Sequence, residues 1–113
     1  MKDCLFCKII AGEIPSDKVY EDDQVFAFRD INPMAPTHVL VVPKQHVSAL
    51  DEADKLSDST LSACLRACAK VAELEHLAHG YRVVSNCGAD ACQSVRHLHF
   101  HILGGVRMQE AMA

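Results

Sequence analysis

Apolar positions along the chain follow two periods. Short runs alternate or stay continuously apolar, as strands do, and one long run repeats every three to four residues, as a helix does. Residues 4–11 predict a short N-terminal helix stopped by Gly12, with Pro15 beyond it. Lys18 to Glu21 and Gln24 to Arg29 predict a hairpin turning at Asp22-Asp23. The segment Asn32-Pro33-Met34-Ala35-Pro36 reads as a loop, because each proline turns its predecessor away from helical backbone. His38 to Pro43 follows as a buried strand. From about Asp58 to His79, Leu61, Leu65, Cys68 and Ala72 recur at helical spacing with Cys64 and Val71 beside them. Ser57 or Asp58 can cap that helix and Gly80 can end it. Two more strands, Tyr81 to Asn86 and Arg96 to Leu103, flank a polar loop from Cys87 to Val95. Short hairpin-linked strands with one dominant helix predict an α+β fold. Its parts are a mainly antiparallel five-stranded sheet, one long helix and the short N-terminal helix. The sheet's helix-free face, or its mouth, is the place left for a ligand.

With 113 residues the chain is expected to form a single domain over residues 1–113. Half of its residues are apolar and 23% are charged, which excludes a disordered tail protein. A net charge of −4 argues against nucleic acid and anionic membranes as general partners. The longest apolar run, Val39 to Pro43, is far too short to span a bilayer. No apolar signal segment is visible after Met1, so a reducing cytoplasmic setting is expected. What stands out is six cysteines and seven histidines in so short a chain. Cys4 and Cys7 form a C-x-x-C pair, Cys64 and Cys68 sit on the helix, and Cys87 and Cys92 flank the loop. The helical pair fits core packing, since free cysteine is among the most buried residue types.

The run His97-Leu98-His99-Phe100-His101-Ile102-Leu103 alternates imidazole and apolar groups without a break. On a strand this places three imidazoles on one face and sends Leu98, Phe100 and Ile102 into the core. Neighbouring imidazoles then start about 6.6 Å apart and the outer two about 13 Å, too far for all three to hold one metal ion. Imidazole provides a neutral nucleophile, a proton donor and a metal ligand near pH 7. Attack of a neutral ring nitrogen on phosphorus or a carbonyl gives a labile covalent intermediate, and a neighbouring N–H can donate to the oxygens where charge builds.

This run resembles the signature of the histidine triad superfamily, His-φ-His-φ-His-φ-φ. The resemblance extends over Phe6 to Ile10, Glu13-Ile14-Pro15, Tyr20 to Asp23, Ala27 to Ile31, Ala35 to His38, Val42 to His46 and Gln93-Ser94-Val95, all similar to the Hint branch. It implies hydrolysis of purine nucleoside phosphoramidates and related acyl nucleotides to the nucleoside monophosphate. In that mechanism His99 would be the nucleophile, His97 and His101 would flank it, His38 would orient the triad, and Ser94 would touch the phosphate or the departing amine. Asp30 would take the ribose hydroxyls. Phe6, Ile9, Ile14, Phe28, Ile31 and Leu40 would line the base slot, with Asn86 and Gln93 also at the substrate.

The resemblance further implies a structural zinc on Cys4, Cys7, His46 and His97, whose removal would cost stability and leave most activity. It also implies a homodimer, with Leu61, Cys64, Leu65 and Cys68 in the contact. Two departures stand out. Cys92 occupies a place where glycine is usual, and the tail from Arg107 to Ala113 lacks a Trp-Pro-Pro-Gly-like ending. Three other readings compete: a metallohydrolase with His97 and His99 as ligands, a dinucleoside polyphosphate hydrolase or nucleotidyl transferase of the same superfamily, and a zinc-supported nucleotide- or protein-binding module.

Overall fold

The computed structural model describes residues 3–113, so the first two residues of the expected domain lie outside the described ones. Helix α1 (Leu5–Ile10) is opened by Cys4, whose sulfur accepts the Cys7 N–H at 3.3 Å. Strands β1 (Lys18–Glu21), β2 (Val25–Arg29), β3 (Thr37–Pro43), β4 (Tyr81–Val84) and β5 (Phe100–Gly104) form one antiparallel sheet in the order β1-β2-β3-β5-β4. Helix α2 (Asp58–Leu74) follows a 3₁₀ turn at Leu50–Lys55 that the sequence pattern did not predict. The first hairpin turns as expected: Asp22 Oδ1 accepts the Gln24 and Val25 N–H groups at 2.8 and 2.9 Å, an Asx turn. No helix among the described residues is long and apolar enough to cross a membrane.

Alternation divides the sheet into two apolar layers. Val25, Ala27, Val39, Val41, Phe100 and Ile102 face α2 and pack with Cys64, Cys68 and Val71. Phe26, Phe28, Leu40 and Val42 face the other way, where Phe6 and Ile9 of α1 join them. The second face is therefore not helix-free, because α1 covers part of it. Register places Phe28, Leu40, His101 and Val84 in one row across that face.

Three expectations need correction. First, α2 stops at Leu74, five residues before His79. His76 takes a left-handed φ of 58°, and Leu77 N–H reaches Ala72 O at 3.0 Å while His76 N–H reaches Glu73 O at 3.1 Å. That pair of bonds is a Schellman ending, so His76 and His79 lie beyond the helix. Second, the buried stripe is Thr60, Cys64, Ala67, Cys68, Val71 and Ala72, whereas Leu65 is 62% exposed. Small side chains lie against the sheet and the large leucine is turned outward. Third, β5 begins at Phe100, not Arg96. Val41 pairs with Phe100, so the next partner along β3 is Pro43, which has no N–H to extend the ladder.

The turn after α2 also constrains the sheet. A Cβ built on Gly104 would lie 2.7 Å from Leu77 Cδ1. Gly104→Ala is expected to displace the half-buried Leu77 side chain and to lower stability by about 1 kcal/mol or less, read as a slightly lower Tm with unchanged secondary structure by circular dichroism.

Candidate active site and metal centre

The triad strand keeps its alternation although its first half is irregular backbone. Leu98 and Phe100 are buried towards α2, and His97, His99 and His101 lie on the face shared with α1. Hydrogen bonds to main-chain groups fix the ring tautomers. His99 Nδ1 lies 2.7 Å from the His97 carbonyl, which can only accept, so His99 carries its proton there and its Nε2 keeps a lone pair. The Phe6 ring meets His99 edge-on at 5.1 Å and limits its rotation. Ser85 Oγ donates to the His99 carbonyl at 2.8 Å and anchors the same residue from β4's side.

A second chain of bonds fixes His101. The Met34 N–H donates to His38 Nδ1 at 3.0 Å, so a neutral His38 has its proton on Nε2. That proton is donated to His101 Nδ1 at 2.8 Å, which leaves His101 with its own N–H on Nε2. Asp30 Oδ2 lies 3.5 Å from His38 Nε2, a long contact beside the direct bond to His101. Burial holds His38 below the ordinary imidazole range, with the Asp30 charge opposing the shift. Burial, with His99 and His38 adding to it, takes His101 down to about 4. Both rings are therefore neutral at pH 7, as the relay requires. The ring centroids of His99 and His101 are 5.0 Å apart, so the ring with the free lone pair and the ring with the free N–H are neighbours.

Asp30, His38 and His101 also lie within metal-ligating distance of one another. The Met34 amide argues against a metal there, because His38 would have to lose its Nε2 proton while still accepting at Nδ1. The pH dependence of folding follows from the same burial. His38 and His101 are neutral in the folded chain and titrate near 6.5 when unfolded, so the unfolded state binds more protons below that pH. Stability is expected to be highest above pH 6.5 and to fall as pH drops towards 4, measured by urea midpoints; a midpoint rising over that interval would contradict the neutral relay.

The second cluster sits at the other end of the triad. Cys4 Sγ, Cys7 Sγ, His46 Nδ1 and His97 Nδ1 all lie within 4.8 Å of one another. His97 Nδ1 is 3.3 Å from Cys4 Sγ, 3.5 Å from Cys7 Sγ and 3.1 Å from His46 Nδ1, and Cys7 Sγ is 3.4 Å from His46 Nδ1. Tetrahedral zinc with bonds of about 2.0–2.3 Å needs donors roughly 3.3–3.8 Å apart, so the set fits. His97 Nε2 donates to the Pro43 carbonyl at 2.8 Å, which frees Nδ1 for the cluster and supplies the outer-sphere bond common to ligating histidines. Without a cation, burial and the neighbouring Cys4 push the Cys7 thiol up to about 11, and burial takes His97 down to about 4. Two thiolates would offset that burial only against a cation. His97 thus belongs to both clusters: its ring faces the thiols and its carbonyl holds the nucleophile.

Among the residues expected at the substrate, Phe6, Ile9, Phe28 and Leu40 are buried together and Ile14 flanks them, while Ile31 is 91% exposed and outside that cluster. Asp30 also has a structural task, since its Oδ1 accepts the Asn32 N–H at 2.8 Å. Gln93 is occupied by its own loop, with Oε1 on the Gly88 N–H and Nε2 on the Ser48 and Val95 carbonyls. Asn86 is half-buried after β4, and Ser94 is exposed beside Cys4, Leu5 and Arg96 in a shallow pocket of about 280 Å³. Cys92 adopts φ 60° and ψ 38°, the left-handed backbone that glycine takes without strain. Cys64 and Cys68 face the core, where burial pushes their thiols up to about 12 and 11. They are closed to any contact between subunits.

The HIT domain profile matches residues 11–108. The chain belongs to the HIT domain family. Among similar proteins, a "14 kDa zinc-binding protein" of Zea mays is 50% identical over 106 residues, 92% of this chain and 83% of that protein. The "Adenylylsulfatase HINT1" of Arabidopsis thaliana is 45% identical over 106 residues, 92% of this chain and 72% of that one. A solved HIT family hydrolase from Clostridium thermocellum superposes with a TM-score of 0.92 at 45% identity, covering 100% of this chain and 99% of that chain. The HIT match fits the strict alternation of His97, His99 and His101.

Proposed function

We propose that this HIT protein hydrolyses purine nucleoside 5′-phosphoramidates and related acyl nucleotides through a nucleotidyl-His99 intermediate. The observation that carries the reading is the pair of fixed tautomers, a free lone pair on His99 Nε2 beside an N–H on His101 Nε2. His99 Nε2 attacks the α-phosphorus, an N–P bond forms, and the bond to the leaving group breaks. The His101 N–H donates to a phosphoryl oxygen, where charge grows in the transition state. As His99 turns cationic, its Nδ1–H bond to the His97 carbonyl strengthens. The amine leaves with a proton drawn from solvent and relayed through the exposed Ser94 hydroxyl, which regains its own proton in the same relay. Water then attacks the same phosphorus, the His99 Nε2–P bond breaks, and the water's proton passes to solvent, giving the nucleoside monophosphate and neutral His99.

Asp30 is assigned to the ribose hydroxyls and the Phe6, Ile9, Phe28, Leu40 cluster to the purine, with Ile14 and Ile31 at its margin. Asn86 and Gln93 shape the loop around the phosphate. The adenylylsulfatase name of the Arabidopsis relative agrees with cleavage at a nucleotide's α-phosphorus. We assign zinc to Cys4, Cys7, His46 and His97 as a structural ion, in keeping with the Zea mays relative's name. Metal catalysis through His97 and His99 fits poorly, because His97 completes a four-donor set with no open position and His99 Nδ1 is already donating. A homodimer would use the exposed Leu65 of α2 with Tyr81 and Val83 of edge strand β4, since Cys64 and Cys68 are committed to the core. Incubation with an adenosine phosphoramidate tests the reading: release of AMP supports it, and no release with the intact chain overturns it.

A further inference from the structure

Cys4 and Cys7 are placed to bond with one another. Their sulfurs lie within 4.8 Å, and the Cys7 N–H on Cys4 Sγ at 3.3 Å folds the Cys4 side chain back over the first turn of α1. A helical turn brings residues three apart into the Cα separation that a disulfide spans, so the bond can close by side-chain rotation. Cys7 is half-buried, which gives a small oxidant a way in, and the buried Cys4 stands behind it as the resolving thiol. Cys64 and Cys68, by contrast, lie in the apolar layer on the opposite face of the sheet.

The same two sulfurs decide how α1 is held. The helix has six residues, too few to persist in water without docking. Phe6, between the two cysteines, meets the rings of Phe28, His97 and His99 at 5.3, 6.0 and 5.1 Å, and Ile9 joins it in the same layer. The remaining attachment is the set of sulfur contacts to His46 and His97.

We propose that Cys4 and Cys7 form a thiol–disulfide switch that latches α1 to the sheet when reduced and releases it when hydrogen peroxide oxidises the pair. The switch rests on zinc held by Cys4, Cys7, His46 and His97. The Cys7 sulfur attacks peroxide, an S–O bond forms, the O–O bond breaks, and the departing oxygen takes a proton from solvent and leaves as water. The Cys4 sulfur then attacks the Cys7 sulfur, the S–S bond forms, the S–O bond breaks, and a second proton carries the second oxygen away as water. Two thiolates are oxidised and one peroxide is reduced to two waters. The zinc ion goes into solution, because only two imidazoles of its four donors remain.

The test treats the intact, zinc-loaded chain with a small excess of hydrogen peroxide, beside a peroxide-free control. Expected are one equivalent of released zinc, read with a chromogenic chelator, and a mass loss of about 2 Da that peptide mapping assigns to a Cys4–Cys7 disulfide. Amides of α1 should exchange about 10-fold faster or more, with those of β3 unchanged. Dithiothreitol with added zinc should restore all three readouts. Cys92→Ser should respond like the parent, whereas Cys7→Ser should show fast α1 exchange before peroxide and no further change after it. None of these readouts depends on turnover. A zinc-loaded chain whose Cys4 and Cys7 stay reduced, a disulfide mapped to another pair, or an oxidised pair with unchanged α1 exchange overturns the switch alone. A reduced chain that binds no zinc overturns the metal assignment and the switch together.

Discussion

Replacing His99 by alanine is expected to lower kcat for an adenosine phosphoramidate by about 10⁴-fold or more, the scale seen when a covalent nucleophile is removed. No other group in the site is placed to substitute. His101 Nδ1 accepts from His38, and its Nε2 carries a proton held there by that bond. His97 turns its lone pair towards two thiols and donates its proton to Pro43. The pair of tautomers is asymmetric, and of the three triad rings only His99 keeps a lone pair, on Nε2, with no hydrogen-bond partner among the described residues. Nucleotide binding should survive in the variant, because the ribose and base contacts assigned to Asp30 and the α1 cluster are untouched. The measurement is steady-state turnover together with AMP affinity. Turnover within 10-fold of the parent would point to a metal-activated water and remove His99 from the mechanism.

Removing the metal is expected to have the largest effect on stability. The four donors come from three separate stretches: Cys4 and Cys7 at the start of α1, His46 just after β3, and His97 before β5. A zinc ion there ties α1 to the sheet, and with it Phe6 and Ile9, which cover the second apolar layer. Metal binding energy in such sites is folding energy. Chelation, or Cys7→Ser, should therefore lower Tm by on the order of 10 °C or more, given about 4–8 °C for each kcal/mol in a domain near this size. Below the lowered Tm most activity should remain, since the His97 carbonyl still holds His99 through main chain. An unchanged melting curve after chelation would remove the metal assignment.

Much of this architecture was legible in the sequence because it depends on period and residue chemistry. The alternation from His97 to Ile102 gave the correct face for every side chain, since a two-residue period survives even where the backbone is irregular. The C-x-x-C pair is plain in the sequence, but its joining to His46 and His97 was legible only through the resemblance, because no local spacing connects residues 4 and 97. What escaped prediction depends on tertiary partners. The start of β5 is set by Pro43 on the neighbouring strand, and the end of α2 by the left-handed turn at His76. Leu65 fits the helical stripe on paper, yet the close approach of α2 to the sheet favours Ala67 and Cys68. The groups that fix the tautomers are main-chain atoms of Met34, Pro43 and His97, for which the sequence carries no side-chain signal. Ser85 and Phe6 act through their side chains, but only the tertiary fold brings them against His99.

The most direct test of the central claim is the covalent intermediate. The intact chain is mixed with an adenosine phosphoramidate, quenched within milliseconds in base, where a phosphorus–nitrogen bond to imidazole survives, and weighed by mass spectrometry. The expected result is a transient gain of one adenylyl group that peptide mapping assigns to His99 and that is absent from His99→Ala. Full turnover with no adduct, or an adduct on any other residue, would contradict the account.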